Sequence, residues 1–138
     1  MILNNKFNAG LSTELTFERF CIENGWEYCK PCCFSLPYDY VMRLSKDEEW
    51  QTIQIKKSYK YKRKKGNKPT VFRVPLKRSN NKKYEPGDFD QLYVYIKEWN
   101  VWYSIPYEAV EHIKHQIIIS HEKWQKYRVA SGCESFPY

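Results

Sequence analysis

The stretch LPYDYVMRLSKDEEWQTIQIKK, residues 36–57, repeats its side-chain pattern every two residues on both sides of a charged turn, SKDEE. A period of two is a strand signal, and two such runs around a short polar turn read as paired strands. Neighbouring side chains on a strand point to opposite faces. Tyr38, Tyr40 and Met42 therefore share one face of the first strand, and Asp39, Val41 and Arg43 the other. In the second strand Ile53 and Ile55 stand opposite Thr52, Gln54 and Lys56. One face is apolar, as a sheet core demands. The other carries an aspartate, a glutamine and a lysine where a plain sheet prefers Val or Ile, and a buried charge costs free energy unless something pairs with it.

Antiparallel pairing of these strands brings Asp39 toward Gln54 and Lys56 on one face. Aspartate is a hard anionic oxygen ligand for Mg²⁺, Gln54 offers a neutral amide oxygen, and the backbone carbonyl of Ile55 a further one. Lys56 beside such a cation can orient a water or stabilise a charged, phosphorane-like transition state. Glu14 lies on a helix upstream and can reach the sheet from above. The polar groups then surround a metal and a phosphate.

The helix is read over residues 11–26, where Leu11, Leu15, Phe17, Phe20, Cys21 and Ile22 approach helical spacing. Ser12 or Thr13 can cap its start and Gly25 its end. WEYCK is a short strand ending near Lys30, and Pro31 and Pro37 bracket an irregular bend. TVFRVPLKR is a strand whose Pro75 marks an edge or a bulge. FDQLYVYIKEWNVWYSIP forms a hairpin turning at residues 98–100, and after Pro106 a helix is expected over YEAVEHIKHQIIISHEKWQKY, breaking near Ile119. The expectation is one α+β domain over residues 1–138. Its core spans about 9–121, with a mostly antiparallel or mixed central sheet flanked by an N-terminal and a C-terminal helix. A basic β-hairpin insertion occupies 57–83, and the tail 128–138 is loose.

Charge is distributed as unevenly as the polar strand residues. Thirteen of the 23 Lys and Arg fall between Lys56 and Lys83, a segment without Asp or Glu, although the formal net charge is only +7. The remainder holds ten basic and sixteen acidic residues, a balance of −6. Segregated positive charge is the footprint of a surface facing a polyanion. Tyr59, Tyr61 and Phe72 are interleaved with the cations, which suits phosphate contacts combined with stacking. Lys57, Lys60, Lys62, Arg63, Lys64, Lys65, Lys68, Arg73, Lys77 and Arg78 are the candidate nucleic-acid contacts, with Ser58 on the Lys56 face as a further one. No basic amphipathic helix accompanies these charges, which argues against a membrane surface.

The ordered pieces AGLSTE, NGWEY, LPYDYV, IQIKKS, GDFDQLYVYI and VWYSIP resemble the PD-(D/E)XK nuclease superfamily. More narrowly they are similar to the branch of small intron-associated homing endonucleases and archaeal-type Holliday junction resolvases. The likeness runs from Ala9 to Pro106. It implies a restriction-endonuclease-like core and hydrolysis of DNA phosphodiesters by activated water with Mg²⁺, for which Mn²⁺ can substitute, and without a covalent intermediate. It implies that Glu14 is the helix glutamate that assists the metal, that Asp39 is the family aspartate and that Lys56 is the family lysine. Gln54 stands at the acidic position of the (D/E)XK element, which removes one negative charge. The substrate implied is double-stranded or branched DNA, cut by a homodimer or homotetramer. A nucleic-acid-binding module without cleavage, on the same fold, is the alternative, and Gln54 is the residue that favours it.

Other features carry less chemistry. Cys29, Cys32 and Cys33 have no second C-x-x-C partner and His112, His115 and His121 lie far along the chain, so they read as strand or core thiols rather than a zinc site. Five cysteines, an odd number, cannot all pair within the chain. With no secretory layout at the N-terminus and no apolar run of about 18 residues, the chain is expected to be intracellular. Asp88 and Asp90 are candidate auxiliary acids, though PGDFD is equally good turn chemistry.

Overall fold

A computed structural model describes residues 5–61, 69–78 and 82–130, with side chains from Ser12 onward. Helix α1 runs over Asn5–Asn24. Its start lies upstream of the expected cap, so Ser12 and Thr13 are interior positions; the Ser12 carbonyl accepts the Thr16 hydroxyl at 2.8 Å. The stop is as read. Gly25 has φ +71°, its N–H donates to the Ile22 carbonyl, and Trp26 N–H donates to the Cys21 carbonyl. These two bonds satisfy carbonyls that the helix end would otherwise orphan.

Five strands form the main sheet: β1 (Glu27–Cys29), β2 (Tyr40–Arg43), β3 (Gln51–Lys57), β6 (Gln91–Ile96) and β7 (Val101–Pro106), in the order β1-β2-β3-β6-β7. All pairs are antiparallel except β3 with β6, so the sheet is mixed. The parallel pair needs a long crossover. That crossover contains β4 (Tyr59–Tyr61) and β5 (Val71–Pro75), which pair with β8 (Gln116–Ile119) in a second sheet ordered β4-β5-β8. The architecture is a single α+β domain, as expected from the sequence.

Alternation along the strands feeds two cores. Phe17 and Cys21 on α1 close over Tyr40, Met42, Ile53, Ile55, Tyr93 and Trp102 on one face of the main sheet. Phe17 meets the rings of Tyr40, Tyr93 and Trp102 at 5.0, 5.2 and 5.6 Å, and each such pair adds about 0.5–1.5 kcal/mol beyond burial. On the opposite face Leu92, Val94, Ile96, Tyr103 and Ile105 pack against Phe72, Val74, Ile117 and Ile119 of the second sheet. Leu15 and Ile22, expected on the buried stripe of α1, are instead 56% and 67% exposed.

The C-terminal region departs most from expectation. The helix after Pro106 is a single turn, α2 (Tyr107–Val110), and residues 116–119 are β8 instead of a helical continuation. The run QIII is β-branched, and Ile117 and Ile119 are buried against β5. Pairing with an exposed strand edge outweighs the helical spacing. Because β8 covers β5, Pro75 lies on a central strand, at its last residue, where a missing N–H costs little. The tail is anchored at its first residues: Tyr103 bridges to Arg128, and Val129 N–H donates to the Trp102 carbonyl at 2.9 Å. Residues 131–138 lie outside the described residues. Of the thiols, Cys21 is buried and Cys29 lies exposed at the end of β1, whereas Cys32 and Cys33 are exposed outside any strand.

Candidate active site

The site lies where β2 leaves β3. Register runs Val41↔Thr52 and Tyr40↔Ile53, after which β2 ends. Pro37 and the irregular segment before it carry the chain away, so the next β3 backbone groups on that side, those of Ile55, have no strand partner. Asp39 fills the gap. Its own N–H donates to the Ile53 carbonyl at 2.7 Å, and its Oδ2 accepts the Ile55 N–H at 2.8 Å. Gln54 completes the corner, its Nε2 donating to Asp39 Oδ2 at 2.9 Å and to the Ile55 carbonyl at 3.0 Å. Two of the oxygens expected to bind metal thus converge on one nitrogen.

Asp39 is only half-buried, yet burial pushes its carboxyl up to about 6; the Ile55 N–H opposes the shift, the Glu14 charge reinforces it, and Lys56 and Lys30 pull it down. The corner therefore holds an anion short of compensation. Lys56, also half-buried, donates to the Lys77 carbonyl at 2.9 Å and lies 5.4 Å over the Tyr84 ring. Burial lowers its pKa and the charge of Asp39 partly restores it. Glu14, on α1, is ion-paired at 3.0 Å with Lys30, which follows β1. The structure thus groups Asp39, Gln54 and the Ile55 carbonyl directly, and brings Glu14 and Lys56 within electrostatic reach of Asp39.

Lys30 and Tyr84 were not singled out by the sequence. Lys30 is sixteen residues from Glu14 and meets it only through the fold. An aromatic residue in the polar loop SNNKKYEPGD was the signal for Tyr84, which is 8% exposed.

The other candidates divide. Lys57, Lys60, Arg73 and Lys77 are exposed, and the Tyr59 ring takes Lys57 at 5.5 Å and Arg73 at 5.7 Å. Arg78 lies 3.8 Å from Asp88. Lys62, Arg63, Lys64, Lys65 and Lys68 lie outside the described residues. Ser58 is not offered to a phosphate: it is buried, and its hydroxyl donates to the Tyr95 carbonyl at 2.9 Å. Asp88 and Asp90 do backbone work. Asp88 accepts the Glu85 N–H at 2.8 Å, and Asp90 Oδ2 accepts the Thr52 N–H at 2.9 Å. Among the described residues no three His, Cys, Asp or Glu converge as a metal cluster.

A mixed sheet with an aspartate at its lip and a Q-x-K run on the adjoining strand defines a PD-(D/E)XK type of nuclease core. The chain belongs to the PD-(D/E)XK endonuclease family, whose model matches residues 7–136. Its fold is similar to a solved structure of a bacterial homing endonuclease, with a TM-score of 0.68 over 91% of this chain and 89% of that one. The two sequences are 22% identical. No curated protein matches the sequence.

Proposed function

We propose that the protein is a divalent-metal-dependent DNA endonuclease of the homing-endonuclease type, with Asp39, Gln54, Glu14 and the Ile55 carbonyl as metal ligands. One observation carries this reading: Asp39 Oδ2 and the Ile55 carbonyl lie 2.9 and 3.0 Å from one atom, Gln54 Nε2, beside a carboxylate that burial leaves under-neutralised. The donor set fits Mg²⁺ or Mn²⁺, hard cations that take oxygen ligands and need only one or two carboxylates. Gln54 presents its NH₂ to both oxygens, so serving as a ligand requires its amide to turn over.

When bound, the cation supplies charge neutralisation to the phosphate and activation of water. The chain supplies the rest. The Ile55 N–H fixes the Asp39 carboxylate, and the Lys77 carbonyl and Tyr84 ring hold the Lys56 ammonium on the face shared with Gln54. There it can stabilise negative charge developing on a phosphate. The exposed cations Lys57, Lys60, Arg73 and Lys77 supply positive charge for the DNA backbone. Among the described residues there is one such corner per chain, so cutting both strands calls for two copies.

The test is cleavage of supercoiled plasmid and of a four-way junction by purified protein in Mg²⁺ or EDTA. Metal-dependent nicking or linearisation is expected. DNA binding without cleavage under all metal conditions would leave only a binding module. Faster cleavage of the junction than of linear duplex would shift the substrate to the resolvase type.

A further inference from the structure

We propose that Lys30 is the displaceable counter-ion of this site: its ammonium neutralises Glu14 in the metal-free protein and leaves when a divalent cation takes that carboxylate. The inference rests on the metal reading above. Lys30 Nζ is 3.0 Å from Glu14 Oε2 and 5.7 Å over the Tyr40 ring. The Tyr40 hydroxyl in turn donates to Glu18 Oε2 at 2.8 Å, and the charges of both Glu18 and Asp39 act on Lys30. One flexible cation thus stands among three carboxylates, two of them proposed metal ligands.

Exposure makes the pair breakable. The Lys30 side chain is 49% exposed and that of Glu14 26%, so the amine sits at the mouth of the corner with solvent behind it. An ion pair this exposed contributes little, and it yields readily to a stronger competitor. Lys56 differs because it is half-buried and anchored on the Lys77 carbonyl. Lys30 holds Glu14 near Asp39 despite their mutual repulsion, then gives way. Its charge must also oppose an arriving cation, so Lys30 sets metal affinity without being a ligand or touching the reacting atoms.

The test is a Mn²⁺ titration of the full chain without DNA, following free Mn²⁺ by electron paramagnetic resonance. The proteins are wild type, Asp39→Ala, Lys30→Arg, Lys30→Met and Lys30→Glu, each checked for a cooperative melt. Removing one positive charge a few ångströms from a divalent cation is expected to tighten binding roughly 3–10-fold in Lys30→Met. Lys30→Glu should bind more tightly still, and Lys30→Arg no more tightly than wild type. A purely structural role would not order the variants by charge. Asp39-dependent Mn²⁺ binding in wild type that Lys30→Met and Lys30→Glu fail to tighten would overturn the counter-ion role and leave the metal site standing. No Asp39-dependent binding in wild type would overturn the metal reading, and the role of Lys30 with it. If Lys30→Met does not fold, the Arg and Glu variants decide the matter.

Discussion

Asp39 and Asp90 occupy equivalent places on the two sides of β3. Each immediately precedes a strand that pairs with β3, and each aims a carboxylate oxygen at a β3 N–H, Ile55 for Asp39 and Thr52 for Asp90. At Asp90 the exchange is closed. Its Oδ2 also accepts the Thr52 hydroxyl at 3.2 Å, and its own N–H returns to that hydroxyl at 2.9 Å. The residue is exposed. Asp39 is half-buried, has the Glu14 charge nearby and is pushed up to about 6. The same backbone clamp thus serves as structure on one side and as a poised anion on the other. What separates them is desolvation and the sign of the neighbours, not the hydrogen bond to the strand.

The largest expected effect separates the two aspartates by activity. Asp39→Ala should lower plasmid cleavage by about 10²–10³-fold, a typical loss for a group stabilising transition-state charge. Lys56→Ala should do the same while largely preserving metal binding. Asp90→Ala should keep cleavage within a few-fold and instead cost about 1 kcal/mol in urea melts, the worth of an exposed clamp. Similar cleavage losses for both aspartate variants would erase the distinction.

A smaller effect sharpens the comparison through pH. The folded chain binds the Asp39 proton more tightly than the unfolded chain, with a pKa of about 6 against an ordinary 3.8. The folded form therefore gains from that proton at low pH and loses the gain on ionisation. Stability of the metal-free protein should fall between about pH 4 and pH 6 by about 2–3 kcal/mol from this group. Asp39→Asn should remove that fall. Mn²⁺ should reverse it above pH 6, because only the ionised carboxylate binds the cation. A wild-type slope unchanged by Asp39→Asn would show that Asp39 is not the buried acid.

The Asp39 side of this comparison was legible in the sequence and the Asp90 side only in part. Period-two alternation placed Tyr40, Met42, Ile53 and Ile55 on the core face and Asp39, Gln54 and Lys56 on the other, because register follows the buried face. The hairpin at residues 98–100 was equally plain, and Asn100 takes φ +51° there. In the C-terminal region Val110, Ile113 and Ile117 satisfied a helical period, while the run at 117–119 satisfied a strand. The edge of β5 decided between them, and no local pattern reveals an available edge. Lys30 was illegible for the same reason, since its ion pair with Glu14 joins a helix to a loop after β1.

The most direct measurement is anomalous diffraction from crystals of the metal-free protein soaked in Mn²⁺. The expected result is a peak bonded to Asp39 Oδ2 and the Ile55 carbonyl, with the Gln54 amide turned over and Lys30 withdrawn from Glu14. A soaked crystal with no peak at this corner, from protein that still cleaves plasmid in Mn²⁺, would contradict the assignment of Asp39 as a metal-binding group.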